Sequence, residues 1–313
     1  MQRCAIIRQQ LRRGMVRAQR CGTVKRNQPL AKPFAVDMFL LTLFVDYPAM
    51  LQPLSRRAFG LGGLATMGVS CCGTAVAQSD VPVIAAASDL QFALTEIAEA
   101  FRTATGMAVS LSFGSTGNLA RQIRSGAPYQ IFMAADEQYV LDLFKDGFTQ
   151  DSGALYGIGR IALLVPNGSA LIADAALDGL EAALAAGKIS HFAIANPDHA
   201  PYGQRAREAL QHRGLWDSVR PHLVLGENVS QTAQFVLSGN ADGGIIAYSL
   251  ALLPQVAGQG TFALLPEDWH RPLRQSMVLL NGSGQVAQAF YAFMNQNQAR
   301  AILRRFGFAG PVT

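Results

Sequence analysis

Val83-Ile84-Ala85-Ala86-Ala87-Ser88-Asp89 is a short apolar run that ends on a hydroxyl and an acid and passes directly into Leu90-Gln91-Phe92-Ala93-Leu94-Thr95-Glu96-Ile97-Ala98. The first part reads as a buried strand and the second as an amphipathic helix, so their junction is a strand-to-helix corner with Ser88 as the expected N-cap. A helix start carries unpaired N–H groups and the positive end of the macrodipole. Such a corner offers donors to an anion without using a charged side chain.

Working outward, the same corner recurs. Residues 107–113 read as a strand, and Gly114-Ser115-Thr116-Gly117-Asn118 turns it into a helix from Leu119. A third strand, 129–136, precedes a helix over 137–145. The strand 191–196 leads through Pro197-Asp198-His199-Ala200-Pro201-Tyr202-Gly203 to a helix over 204–213. The strand 222–225 leads through Gly226-Glu227-Asn228-Val229 to a helix over 231–238, with Ser230 as its expected cap. Further strands are expected at 160–166, 243–248 and 276–280, and helices at 177–186, 285–295 and 298–306. Alternating strands and helices predict an α/β fold with mainly parallel sheets. No Pro/Gly/Ser-rich boundary divides the chain after residue 80, which favours two lobes sharing crossover strands over two independent domains.

The net charge of +5 is unevenly distributed. Residues 1–77 hold 11 Lys/Arg against Asp37 and Asp46, and the remainder holds 15 bases against 19 acids. A basic character confined to the leader is no argument for nucleic acid. Ser55-Arg56-Arg57-Ala58-Phe59 precedes a Gly-rich apolar segment and Ala75-Val76-Ala77, a pattern similar to a twin-arginine export signal with cleavage after Ala77. Val69-Ser70-Cys71 is a weaker hint of lipoprotein processing, and the segment is too short and glycine-rich to read as a membrane span. All four cysteines (Cys4, Cys21, Cys71, Cys72) precede that site. The mature chain therefore has no thiol chemistry and suits the periplasm without disulfides.

Enzymatic motifs are missing: there is no G-x-S-x-G, no H-E-x-x-H and no G-x-G-x-x-G between a strand and a helix. The five histidines do not pair at metal-ligand spacing, so no metal centre or cofactor is expected. A hydrolase using Ser88 or Thr116 as nucleophile would need a nearby base, and no His or Lys is placed to act as one. The functional signal is the set of hydroxyl and backbone donors at Ser88-Asp89, Thr116, Tyr202-Gly203 and Val229-Ser230. In open α/β sheets, corners of this kind converge at the C-terminal ends of the strands.

Ala85-Ala86-Ala87-Ser88, Phe113-Gly114-Ser115-Thr116-Gly117-Asn118-Leu119, Gly126-Ala127-Pro128, Ala134-Ala135-Asp136, the Asn196–Gly203 run and Glu227-Asn228-Val229, in this order, resemble the periplasmic molybdate-binding proteins of ABC importers. The resemblance spans about residues 81–308. It implies a two-lobed type II periplasmic binding-protein fold, with lobe A over 81–164 and 266–313 and lobe B over 165–265. An oxyanion, molybdate and also tungstate, would lie in the cleft and pass to a membrane permease driven by an ATPase, the binding protein acting as a monomer. Sulfate, phosphate or an organic anion is the alternative ligand.

The family's ligand positions fall on Ser88 and Thr116, through hydroxyl and N–H, and on the backbone N–H groups of Tyr202 and Val229. These hold the oxyanion with no direct metal coordination. Another branch of the family uses a tyrosine at the position of Tyr248, which is otherwise a core aromatic. Thr116 stands where serine is usual, and Asp89 where Asn or a neutral residue is usual. Asp89 is read first as a helix N-terminal carboxylate turned away from the ligand. The alternatives are a protonated carboxyl donating to the anion, or a carboxylate accepting a proton from an anion such as hydrogen phosphate.

Overall fold

The computed structural model describes residues 81–310; the expected export signal, its cleavage after Ala77 and the four cysteines lie outside them. In chain order the elements are β1 (Val83–Ala87), α1 (Gln91–Thr105), β2 (Ser110–Gly114), α2 (Thr116–Arg124), β3 (Tyr129–Ala134), α3 (Glu137–Lys145), β4 (Ala154–Gly159) and β5 (Ile161–Pro166). There follow α4 (Asp178–Ala185), β6 (Phe192–Ala195), α5 (Pro201–His212), α6 (Trp216–Val219), β7 (Leu223–Gly226), α7 (Val229–Leu237), β8 (Gly243–Ala247), α8 (Tyr248–Ala251) and α9 (Pro254–Ala257). The chain ends with β9 (Gly260–Leu264), β10 (Leu273–Leu279), α10 (Gln285–Met294) and α11 (Asn297–Arg305).

Two five-stranded sheets form, in the orders β2-β1-β3-β10-β4 and β7-β6-β8-β5-β9. In the first, β1 is parallel to β2 and β3, and β10 runs against both its neighbours. In the second, β6 is parallel to β7 and β8, and β5 is the reversed strand. Each lobe is thus a mainly parallel sheet flanked by helices, as the alternation predicts.

The inner strands β1, β5, β6 and β8 are apolar throughout because both faces are covered. Ile84 and Ala86 of β1 and Ile131 and Met133 of β3 pack with Phe101, Phe290 and Phe293 on one side. Ala85, Phe132 and Ala134 face Leu119, Val140 and Leu143 on the other, following the two-residue period of a strand. The second lobe buries Ile161–Val165, Phe192–Ala195 and Ile245–Ala247 in a core that also takes in Ala87 and Ala135 from the first lobe.

The two sheets share one topology although no sequence repeat marks it. In each, the chain leaves a central strand for one neighbour and then crosses to the other: β1 to β2 to β3, and β6 to β7 to β8. Such a reversal opens a crevice at the carboxyl end of the central strand. The ends of β1 and β6 are therefore where each lobe can accept a ligand.

The crossovers fall elsewhere than expected. β5 pairs only with β8 and β9 of the second sheet, so the first crossover is at Arg160 and residues 161–164 belong to lobe B. Pro166 marks the far end of β5, within lobe B. The second crossover runs through 265–272, and the two lie side by side: Leu265 N–H donates to Ile161 O (3.1 Å) and Arg160 Nη2 to Leu265 O (3.1 Å). β4, Ala154-Leu155-Tyr156-Gly157-Ile158-Gly159, has no sequence forecast because its glycines break the apolar pattern. β10 starts at Leu273 and not at 276, since Arg274 and Gln275 mask its beginning.

Candidate functional site

Five corners meet between the lobes. The residues Ala87, Ser88, Asp89, Gly114, Ser115, Thr116 and Ala135 from lobe A, and Ala200, Pro201, Tyr202, Asn228 and Val229 from lobe B, line one small cavity. The structure brings together Ser88, Asp89, Thr116, Tyr202 and Val229, which are up to 141 positions apart in sequence, and each lies at the start of a helical turn.

The local chemistry of each corner differs from simple capping. Ser88 opens a 3₁₀ turn, Ser88–Leu90, and makes no capping bond. Its hydroxyl instead accepts from Ser230 N–H (3.4 Å), while Ser230 Oγ donates to Ser88 O (2.9 Å). Ser230 is therefore not the cap of α7; Asn228 is, its side chain accepting from Gln231 N–H (3.0 Å). Val229 is then the first helical residue, with a free N–H. α2 begins at Thr116, three residues earlier than expected, and Thr116 Oγ1 accepts from Ala135 N–H (3.1 Å), which ties the second corner to the end of β3. α5 begins at Pro201. Proline at the first position supplies no N–H, so the free donors of that turn are those of Tyr202 and Gly203.

No Lys, Arg or His lines the cavity. Its positive potential comes from the N-termini of α2, α5 and α7, each aligned dipole amounting to roughly half a unit charge. This arrangement can hold a compact anion through neutral donors.

Asp89 lies in the first helical turn after β1, and its carboxylate is buried. It is 2% exposed. Its Oδ2 accepts from Gln275 Nε2 (2.8 Å) and from the Tyr202 hydroxyl (3.0 Å), and its Oδ1 is buried without a partner. The Gln275 amide is oriented by its oxygen, Oε1, which accepts from the Tyr156 hydroxyl (2.8 Å). Burial pushes the Asp89 carboxyl up to about 6, against the lowering pull of Gln275, Tyr202 and its own backbone N–H. Burial also raises the Tyr156 and Tyr202 hydroxyls well above their ordinary value, so both act as neutral donors.

A raised carboxyl disfavours the folded, closed form wherever it must ionise. That penalty is absent below the unfolded value near 3.8 and fully present above about 6. Asp89→Asn, which mimics the neutral acid, is expected to raise the melting temperature at pH 8 and to leave it unchanged at pH 4. Melting curves at the two pH values check this.

The lobes are closed on one another. Gly117 N–H donates to His199 O (2.9 Å), and His199 Nδ1 lies 2.9 Å from Ser115 Oγ. Asn118 bonds Glu227 across the same edge. On the opposite edge the buried Arg205 of α5 joins Asp136 of lobe A (2.8 Å) and Glu208 (2.7 Å). Ser249 Oγ donates to Asp89 O (2.9 Å) behind the cavity.

Tyr248 does not reach the cavity. It follows the end of β8 as the first residue of α8; its N–H donates to Arg160 O (2.9 Å) and its ring packs edge-on against Phe262 at 5.9 Å. The residues that sequence reasoning missed are Gln275, Tyr156 and Asn228. Gln275 gave no signal, because it lies in the polar stretch Arg274-Gln275-Ser276 at the start of β10.

Residues 82–309 match the family of bacterial extracellular solute-binding proteins. The chain is 32% identical over 231 residues to the molybdate-binding protein ModA of Rhodobacter capsulatus, covering 72% of this chain and 87% of that one. It is 31% identical over 258 residues to ModA of Azotobacter vinelandii, covering 82% of this chain and 97% of that one. The solved periplasmic molybdate-binding protein of A. vinelandii superposes with a TM-score of 0.66 at 30% identity, covering 74% of this chain and 100% of that structure.

Proposed function

Since the chain belongs to the bacterial extracellular solute-binding proteins, and within them to the molybdate-binding proteins of ABC importers, we propose that it captures molybdate, and also tungstate, in the cavity between its lobes. It is a transport component and not an enzyme. In this reading it works in the periplasm as a monomer, carries no cofactor, and delivers the anion to the permease and ATPase of the importer.

The observation that carries the proposal is the convergence of the N-termini of α2, α5 and α7 with the Ser88 turn on one cavity lined by no cationic side chain. The donors would be the hydroxyls and N–H groups of Ser88 and Thr116 and the N–H groups of Tyr202 and Val229. Fixed neutral donors select by size and geometry, because every oxygen of the anion must meet a donor at hydrogen-bond distance. The Thr116 methyl, where serine is usual, narrows that cavity further.

A thermal-shift series with molybdate, tungstate, sulfate, phosphate and a neutral sugar tests the reading. A ligand bound only by the folded state at 100 times its Kd adds about 2.7 kcal/mol. Molybdate and tungstate are expected to raise the melting temperature and the sugar to leave it unchanged. A shift with sulfate or phosphate alone would keep the binding role and replace the ligand. Ser88→Ala removes one hydrogen bond to a charged group and is expected to weaken molybdate binding by about 1.5–2 kcal/mol, with the ligand-free melting temperature unchanged. Titration calorimetry on the variant checks it, and an unaltered affinity would remove Ser88 from the site.

A further inference from the structure

We propose that Asp89 takes up one proton from solvent when a dianion enters the cavity and the lobes close, so that the anion is held beside a neutral carboxylic acid. The inference rests on the oxyanion reading above and concerns a residue that departs from the family's usual neutral side chain. Three observations carry it.

First, both donors to the carboxyl converge on Oδ2, and Oδ1 is buried with none, which leaves Oδ1 as the oxygen that can hold a proton. Second, no cation bonds or pairs with the group among the described residues. From α5 it meets Tyr202, from β10 the neutral Gln275, from β4 Tyr156 through that amide, and from α8 the Ser249 hydroxyl on its backbone oxygen. Third, Tyr202 and Ser249 belong to lobe B, so closure itself takes the carboxylate out of water, next to the cavity that Asp89 also lines. A buried carboxylate without a cation already favours its neutral form, and a dianion in the same cavity favours it further. By linkage, whatever raises proton affinity on anion binding makes protonation raise anion affinity by the same factor.

The other titratable groups at the rim are His199, which contacts Ser115, and the Glu227 carboxylate 3.6 Å from it. They could also move a proton, so the test separates them from Asp89. Molybdate and sulfate themselves remain dianions at neutral pH.

The measurement is titration calorimetry of the full chain with sodium molybdate at pH 6, 7 and 8, in buffers of differing ionisation enthalpy. The expected result is net proton uptake of more than half a proton per anion at pH 7, with affinity falling roughly fivefold between pH 7 and 8. Asp89→Asn, which places an amide where the acid's proton would sit, should show no uptake and a flat profile, binding more tightly than the wild type at pH 8. His199→Gln should retain the uptake, and this variant decides the matter if Asp89→Asn does not fold. Molybdate binding without proton uptake overturns the proposal and leaves the oxyanion site standing, as does uptake that persists in Asp89→Asn or vanishes in His199→Gln. The absence of any binding heat with molybdate or sulfate overturns the site and the proton together.

Discussion

Gly203→Ala is expected to destabilise the chain by about 3 kcal/mol or more, the upper range for forcing an extra methyl group into a filled site. A Cβ at Gly203 would collide with the carbonyl oxygen of Ala195 and approach Ala195 C to 2.7 Å and Pro197 N to 2.9 Å. All three are backbone atoms at the end of β6 and in the loop after it, so no side-chain rotation relieves the overlap. The start of α5 must back away from the strand, and the Tyr202 N–H moves with it. For a domain of this size the melting temperature should fall by about 6–12 °C. A melting curve of the variant within 2 °C of the wild type would show that α5 has room the structure denies it.

The second large effect acts on closure and not on folding. A Cβ at Gly117 would lie 2.7 Å from His199 O and 3.0 Å from His199 Cα, atoms of the opposite lobe. The same glycine donates its N–H to His199 O, so the two backbones touch only when the lobes are shut. Gly117→Ala should therefore fold normally and fail to close. Withdrawing lobe B removes the Tyr202 and Val229 donors together, at least about 3 kcal/mol for two hydrogen bonds to an anion, or more than a hundredfold in Kd. Calorimetry with molybdate and a ligand-free melting curve separate the two effects. Lost affinity with an unchanged melting temperature supports closure as the means of binding, and loss of both would place the clash within the fold.

These two glycines sit in stretches that were legible as corners, and the corners were readable because each couples a continuous apolar run to small or hydroxyl residues. Residues 83–89 alone specify a strand buried on both faces and a turn with free donors. The cap assignments were less secure, because a serine at a corner can bond its own helix or the opposite lobe, and local sequence does not distinguish the two. Ser88 and Ser230 chose each other across 142 positions.

The burial of Asp89 was not legible for the same reason. Its partners, Tyr202 and Gln275, are 113 and 186 positions away and come from different lobes, so its burial is a tertiary fact. The lobe boundary shows how a strong local signal can mislead. Pro166 reads as a strand end, which it is, but the pairing of β5 with β8 and β9 decides which lobe owns the strand. Tyr248 was placed by resemblance near the ligand, and its position after β8 instead turns the ring toward Phe262.

The central claim is that neutral donors from both lobes hold one oxyanion at the ends of β1 and β6. A crystal structure of the chain grown with molybdate, phased and mapped by anomalous scattering at the molybdenum edge, tests it most directly. The account predicts a single strong peak between Ser88, Thr116, Tyr202 and Val229, with oxygen atoms at hydrogen-bond distance from those four residues. A peak bound to lysine or arginine side chains elsewhere, with that cavity free of metal signal, would contradict it.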